Sequence, residues 1–199
     1  GGVVITRGNN INHVNSASGM AIQTDGKIVV VGNGYSGGTA GWDFAVVRYN
    51  ANGSLDTSFG STGIVHTSVG DSHDGALSVA IQADGKLVVV GYSYDYGSAV
   101  VRYNTDGSLD TSFNGTGIIR TSVGGSAVAI QTDGKIVAAG NSGSNGFSVV
   151  RFNINGTPDL SFSGGQVVIT PVGNVSSSAS SVRVQSDGKI VIASQAANA

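Results

Sequence analysis

The string Gln-x-Asp-Gly-Lys occurs four times in a chain of 199 residues, with its aspartate at Asp25, Asp84, Asp133 and Asp187. Every lysine of the protein lies in it: Lys27, Lys86, Lys135 and Lys189. A second string, Val-Val-Arg-[Tyr/Phe]-Asn, centres on Arg48, Arg102 and Arg151. A third, [Asn/Asp]-Gly-[Ser/Thr]-x-Asp-x-Ser-Phe, covers 52–59, 106–113 and 155–162. A fourth reads GIVHTSVG at 63–70, GIIRTSVG at 117–124 and QVVITPVG at 166–173, and the opening GGVVITRG at 1–8 matches it. Copies follow one another at 49 to 59 residues, the period of propeller blades rather than of ankyrin or leucine-rich solenoids.

Each period holds four short β-type runs. In the second copy these are Ser78–Gln82, Lys86–Gly91, Ala99–Asn104 and Ile118–Val123, strands A to D of one blade. Asp-Gly between A and B is the signature of a tight hairpin in which glycine supplies positive φ. Runs such as Ile28–Val31 are apolar without alternation, so strand B should be covered on both faces, as stacked blades would cover it. Composition agrees. Glycine is 32 of 199 residues, charged residues are 11%, and all twelve acidic residues are aspartate. A helical or ordinary α/β domain is excluded, and the chain is read as an all-β propeller of about 50-residue, four-stranded blades. The boundaries read as strand D at 1–8, blades at 17–70, 76–124 and 126–173, and a partial blade at 179–194.

The string DGKIVVVG…FAVVRYNANGSLDTSFGSTG resembles the bacterial delta-60 repeat family, and the likeness spans nearly the whole chain. That resemblance implies a propeller-like module of a large secreted or surface protein, with no defined activity. A net charge of −2 argues against a nucleic-acid binder, and no apolar run approaches the ~20 residues of a membrane span. Residues 1–8 do not read as a signal peptide, so an export signal is expected outside this chain. With no cysteine, redox chemistry says nothing about compartment.

Fifteen strands are expected, one short of four blades, or about 3.75 blades. Val3–Thr6 could serve as the D strand of the last blade, which would still lack its third strand. Three completions are open: further repeats in a longer array, a homo-oligomer, or a small self-contained ring. Two copies would offer about eight blades and remove exposed edges.

Function is sought where the copies differ. A–B and C–D links are nearly constant. B–C links (Asn33–Asp43, Tyr92–Gly97, Asn141–Gly146) and D–A links (Gly8–Gly19, Gly70–Leu77, Gly124–Ser126, Gly173–Ser180) vary, and in an up-and-down blade both emerge on one face. Asp43, Asp71, Asp74 and Asp95 fall there, as do His13 and His73. Tyr35, Trp42, Asp43, Tyr94, Asp95, Tyr96, Asp71, His73 and Asp74 are therefore the candidate ligand site. Aromatic rings stack on apolar sugar faces, and Asp accepts from hydroxyls. Glycans or other cell-surface ligands are the expected partners, with self-association as the alternative role.

Calcium is weighed on Asn52, Asp56, Asp106, Asp110, Asn155 and Asp159, which resemble the middle of a Dx[DN]xDG loop. Against it, the leading ligand position holds Arg48, Arg102 or Arg151. The competing reading is a turn whose Asp caps it or pairs with an Arg and whose Phe (59, 113 or 162) anchors it between blades. No cofactor and no catalysis are expected. A glycosidase needs two placed carboxyls, one with a raised pKa, and no hydrolase elbow, metalloprotease helix motif or phosphate loop is present.

Overall fold

The computed structural model describes residues 13–35, 41–122, 125–142, 146–172 and 178–195. Residues 1–8, expected as a D strand, lie outside them. Three four-stranded antiparallel meanders follow one another: β1 (His13–Ile22), β2 (Ile28–Tyr35), β3 (Trp42–Tyr49) and β4 (Ile64–Thr67); then β5 (Asp74–Ile81), β6 (Leu87–Ser93), β7 (Gly97–Tyr103) and β8 (Ile118–Thr121); then β9 (Ala127–Ile130), β10 (Ile136–Asn141), β11 (Gly146–Phe152) and β12 (Val168–Pro171). A two-stranded sheet, β13 (Ser178–Val184) and β14 (Ile190–Gln195), ends the described chain. The first strands β1, β5, β9 and β13 contact one another in succession. They form the inner wall of an arc of stacked blades.

Local sequence accounts for the meander. Gly26, Gly85, Gly134 and Gly188 close the A–B hairpins at φ of 82–83°, a conformation that costs other residues a steric penalty. The first strand begins at His13, ahead of the blade start at 17 read from sequence. Two register shifts, Val14/Ser16 and Ala17/Gly19, break the alternation that would have revealed it. At such a shift the strands cross closely: a Cβ on Gly32 would lie 1.8 Å from the Ser16 carbonyl oxygen. Asp43 and Asp74, expected in loops, are instead buried strand residues of β3 and β5.

Each seam between blades is apolar. Val29, Val31, Phe44 and Val46 of the first blade meet Val79, Leu87, Val89 and Tyr103 of the second. Val88, Val90 and Val100 meet Val128, Ile136 and Phe152, and Val137 and Val149 meet Val182. Burying one such valine stabilises by ~1.5–3 kcal/mol. Strand B is thus sealed on both faces, Val88 toward one neighbour and Val89 toward the other. Tyr103 is wholly buried and donates to Thr67 Oγ1 of the preceding blade at 2.8 Å; burial pushes its phenol above the usual range, with the Thr67 bond opposing.

A repeated polar unit locks each blade to itself and, in the first two copies, to the next. Asp56 Oδ2 takes Arg48 Nε at 2.7 Å and Lys27 Nζ at 3.2 Å, while Oδ1 accepts from the Ser58 hydroxyl at 2.6 Å and amide at 3.1 Å. Asp110 repeats this with Arg102, Lys86 and Ser112, and Asp159 with Arg151, Lys135 and Ser161. The guanidinium lies over Phe59, Phe113 or Phe162, 4.5–4.7 Å from the ring centre. Its free arm crosses the seam: Arg48 Nη1 donates to Thr105 O at 2.6 Å, and Arg102 Nη1 donates to Ile154 O.

These contacts hold the three carboxyls well below the ordinary range. For Asp56 and Asp159 the serine hydroxyl contributes most. For Asp110, burial opposes the charge most strongly but is outweighed by Lys86, Ser112 and Arg102. A carboxyl depressed in the folded chain contributes stability above its unfolded value, near 3.9, and loses it as pH falls through the folded value. Denaturation midpoints are therefore expected to fall as pH drops below about 4. Asp110→Asn should cost about 2–3 kcal/mol at neutral pH, because Arg102 and Lys86 lose their counter-charge, and should flatten the acid limb. Chemical unfolding across the pH range checks both; a neutral-pH loss below about 0.5 kcal/mol contradicts the assignment.

Candidate functional site

The links after the second and fourth strands of each blade emerge together, as the meander requires, and at the first seam they build one cluster. Tyr35 ends β2 and Trp42 opens β3, so the rings meet edge to face at 6.4 Å. The Trp42 amide donates to Nδ1 of His73, 3.1 Å away, in the link between the first two blades. His73 in turn meets Tyr94 edge to face at 5.8 Å, and Tyr94 lies 5.7 Å from Tyr92. Two ring groups, Tyr35–Trp42 and His73–Tyr94–Tyr92, are thus joined through the Trp42 amide. Gly41 permits it: a Cβ there would lie 2.7 Å from the His73 ring.

The carboxylates around these rings are held in place. Asp95 Oδ2 accepts from the amides of Asp71 (2.6 Å) and Ser72 (2.8 Å), and Oδ1 accepts from the Ser72 hydroxyl at 2.8 Å. Chiefly the Ser72 hydroxyl, then the amides, keep its pKa below the usual carboxylate range. Asp74 is fully buried, and its Oδ2 accepts from the amides of Val69 and Gly70 at 2.8 and 2.9 Å. Both aspartates therefore tie the 69–74 link to the scaffold. Asp43 is buried in β3, and Asp71 is exposed at the rim.

Tyr94 and Tyr96 stand exposed, 73% and 44% accessible, so rings are open to solvent above an ordered floor. Arg120, which the sequence reading passed over, holds Tyr96: its guanidinium lies 4.8 Å from that ring while Nε donates to Val69 O at 2.8 Å. Its position in the fourth repeated string is occupied by His66 and Ile169 in the other copies, and that departure was the available signal. His13 opens β1.

The loop residues weighed for calcium are engaged otherwise. Asp56, Asp110 and Asp159 carry an arginine Nε at 2.7 Å. Asn52, Asp106 and Asn155 accept from the amide and hydroxyl of Ser54, Ser108 and Thr157. These are Asx turns and ion pairs, and a cation would have to displace both. Among the described residues no group of three or more His, Cys, Asp or Glu side chains is disposed to hold a metal.

Stacked four-stranded meanders with a shared inner wall define a β-propeller repeat protein. The model of one such family, a domain of unknown function with β-propeller fold (DUF5122), matches residues 23–59, 82–113 and 131–162. The chain belongs to that family. No curated protein matches it. Among solved structures, the chain is similar to virginiamycin B lyase from Staphylococcus aureus, at 12% identity and a TM-score of 0.52, covering 88% of this chain and 48% of that one. The catalytically inactive form of that lyase, solved with quinupristin, aligns at 14% identity and a TM-score of 0.53, covering 96% and 51%. A protein of unknown function from Bacteroides caccae aligns at 12% identity and a TM-score of 0.54, covering 88% and 55%. The chain spans about half the length of these propellers, and the likeness is one of fold.

Asp95→Asn is expected to accelerate hydrogen exchange at the Asp71 and Ser72 amides with little loss of global stability, since both residues lie in an exposed link. Exchange measured by NMR checks this. Unchanged protection at both amides would show that the carboxylate does not order the loop.

Proposed function

We propose that the domain is a non-catalytic binding module whose ligand is a carbohydrate presented at a cell surface. The observation that carries this reading is the pair of ring groups Tyr35–Trp42 and His73–Tyr94–Tyr92, from two blades, joined on one loop face by the Trp42 amide. Pyranose faces present C–H groups to aromatic rings, and neighbouring oxygens accept their hydroxyl hydrogens. Asp71, exposed beside these rings, supplies such an acceptor. Because the B–C and D–A links differ from blade to blade, the reading implies one site per chain. An extracellular setting accords with the likeness to delta-60 repeats.

Two features support binding over catalysis. Asp95 has its carboxylate engaged by three donors and a lowered pKa, where a general acid needs a raised one. Asp74 is buried with an oxygen committed to two amides. Neither is poised to exchange a proton with a substrate.

Trp42→Ala and Tyr94→Ala should each weaken glycan binding about tenfold or more, with the melting transition of Tyr94→Ala unchanged because that ring is exposed. A glycan array followed by calorimetry on the best hit checks this. Wild-type protein that binds no sugar on the array would overturn the reading.

A further inference from the structure

On the variable face one set of three positions repeats in two blades out of three. The residue eight after the repeated lysine is Tyr35, Tyr94 or Gly143, and the residue six before the repeated arginine is Trp42, Tyr96 or Asn145. The fourth residue of the fourth repeated string is His66, Arg120 or Ile169. Strand pairing gathers each set at one blade tip. Tyr35 is the partner of Trp42, Tyr94 and Tyr96 follow directly on the Ser93–Gly97 pair, and His66 and Arg120 partner Ala45 and Ala99 of the adjoining strand. The first two blades thus carry two aromatic rings and a His or Arg at equivalent places. In sequence the third carries none of them.

The scaffold does not require this set. The second and third hairpins have the same length from repeated lysine to repeated arginine, yet only the second is aromatic at its tip. Nor are the second blade's rings spent on the core, since Tyr94 and Tyr96 are largely open to solvent. They are nonetheless ordered: the Arg120 guanidinium lies over one side of Tyr96, and the His73 ring stands edge-on to Tyr94. His73 also links the two tips, because its Nδ1 accepts from the Trp42 amide of the first blade. Stacked sheets lie about 10 Å apart, so the two ring pairs are neighbours separated by more than a single sugar ring covers.

We infer that Tyr35–Trp42 and Tyr94–Tyr96 are two subsites of one site, and that its ligand is a linear oligosaccharide lying across the first two blades, not a single or terminal sugar. This rests on the carbohydrate reading above and names the form the sugar takes. A repeated platform suits a ligand whose own units repeat. One ring pair alone offers a weak stacking contact in water. A chain held at the first pair presents its later rings to the second at high effective concentration, so the two contacts reinforce each other. Arg120 belongs to the second subsite as a positioning residue, since it fixes Tyr96 while its Nε is anchored on the Val69 carbonyl.

An array printed with β-1,4-linked glucose, β-1,4-linked N-acetylglucosamine and α-1,4-linked galacturonate, each series running from one ring to six, tests this on the whole chain. Calorimetry on the responding series should give at least about tenfold tighter binding for the six-ring member than for the single ring. Tyr96→Ala and Trp42→Ala should each bring the six-ring affinity close to that of the short members, because one platform then remains. Melting curves confirm that both variants are folded, and Trp42→Leu replaces Trp42→Ala if that half-buried position does not tolerate the loss of bulk. A single ring that binds as tightly as its six-ring chain overturns the inference and leaves the carbohydrate reading standing. So does a length advantage that survives Tyr96→Ala undiminished, since the second blade then contributes nothing. Binding to no sugar at any length overturns both.

Discussion

The ion pair between a buried aspartate and an arginine that is buried in the first two copies and partly buried in the third, repeated at Asp56–Arg48, Asp110–Arg102 and Asp159–Arg151, is what the arc depends on. Removing two charges from water is expensive, and the cost is offset only when every remaining donor and acceptor is used. Here the carboxylate takes Arg, Lys and Ser, and in the first two copies the guanidinium reaches across the seam to the next turn's carbonyl. One unit thereby fixes the A–B hairpin through its lysine, the C–D turn through its aspartate, and the angle between neighbouring blades. Apolar burial supplies most of the stabilisation but is indifferent to small rotations. The polar unit is directional, and it sets how one blade follows another.

This division explains why one face is constant and the other free to vary. Hairpins with Asp-Gly-Lys and turns with [Asn/Asp]-Gly-[Ser/Thr] are committed to the unit, so their chemistry repeats. The links on the opposite face carry no such duty, and only there does the chain place its tryptophan and a tyrosine–histidine run. Asp74 and Asp95, unique to the second blade, build a rigid base for that run instead of serving as its reactive groups.

Much of this was legible because the chain repeats itself. Four coincident lysines, three Arg–Asp–Phe sets and a period near 50 residues specify blades and seams before any coordinates, and leave the Asp either to cap its turn or to pair with an Arg; the structure shows that it does both. The bulged start of β1 was not legible, since Ser16 and Gly19 look like loop residues until β2 pairs with them. Asp43 and Asp74 also read as loop residues, because a polar side chain in a variable link signals exposure unless its backbone partners are known. The contact of Trp42 with His73 and of His73 with Tyr94 spans two blades, and separations of 31 and 21 residues leave no local trace of it.

The most direct test of the polar unit compares it with itself. Arg102 donates across the seam to Ile154 O, whereas Arg151, in the same sequence context, turns its Nη1 to Gln131 Oε1 of its own blade at 3.2 Å. Equilibrium unfolding of Arg102→Met and Arg151→Met should therefore show a clearly larger loss for Arg102, by at least about 1 kcal/mol. Equal losses would mean that the arginine acts only within its blade, and that the seams are held by apolar contact alone.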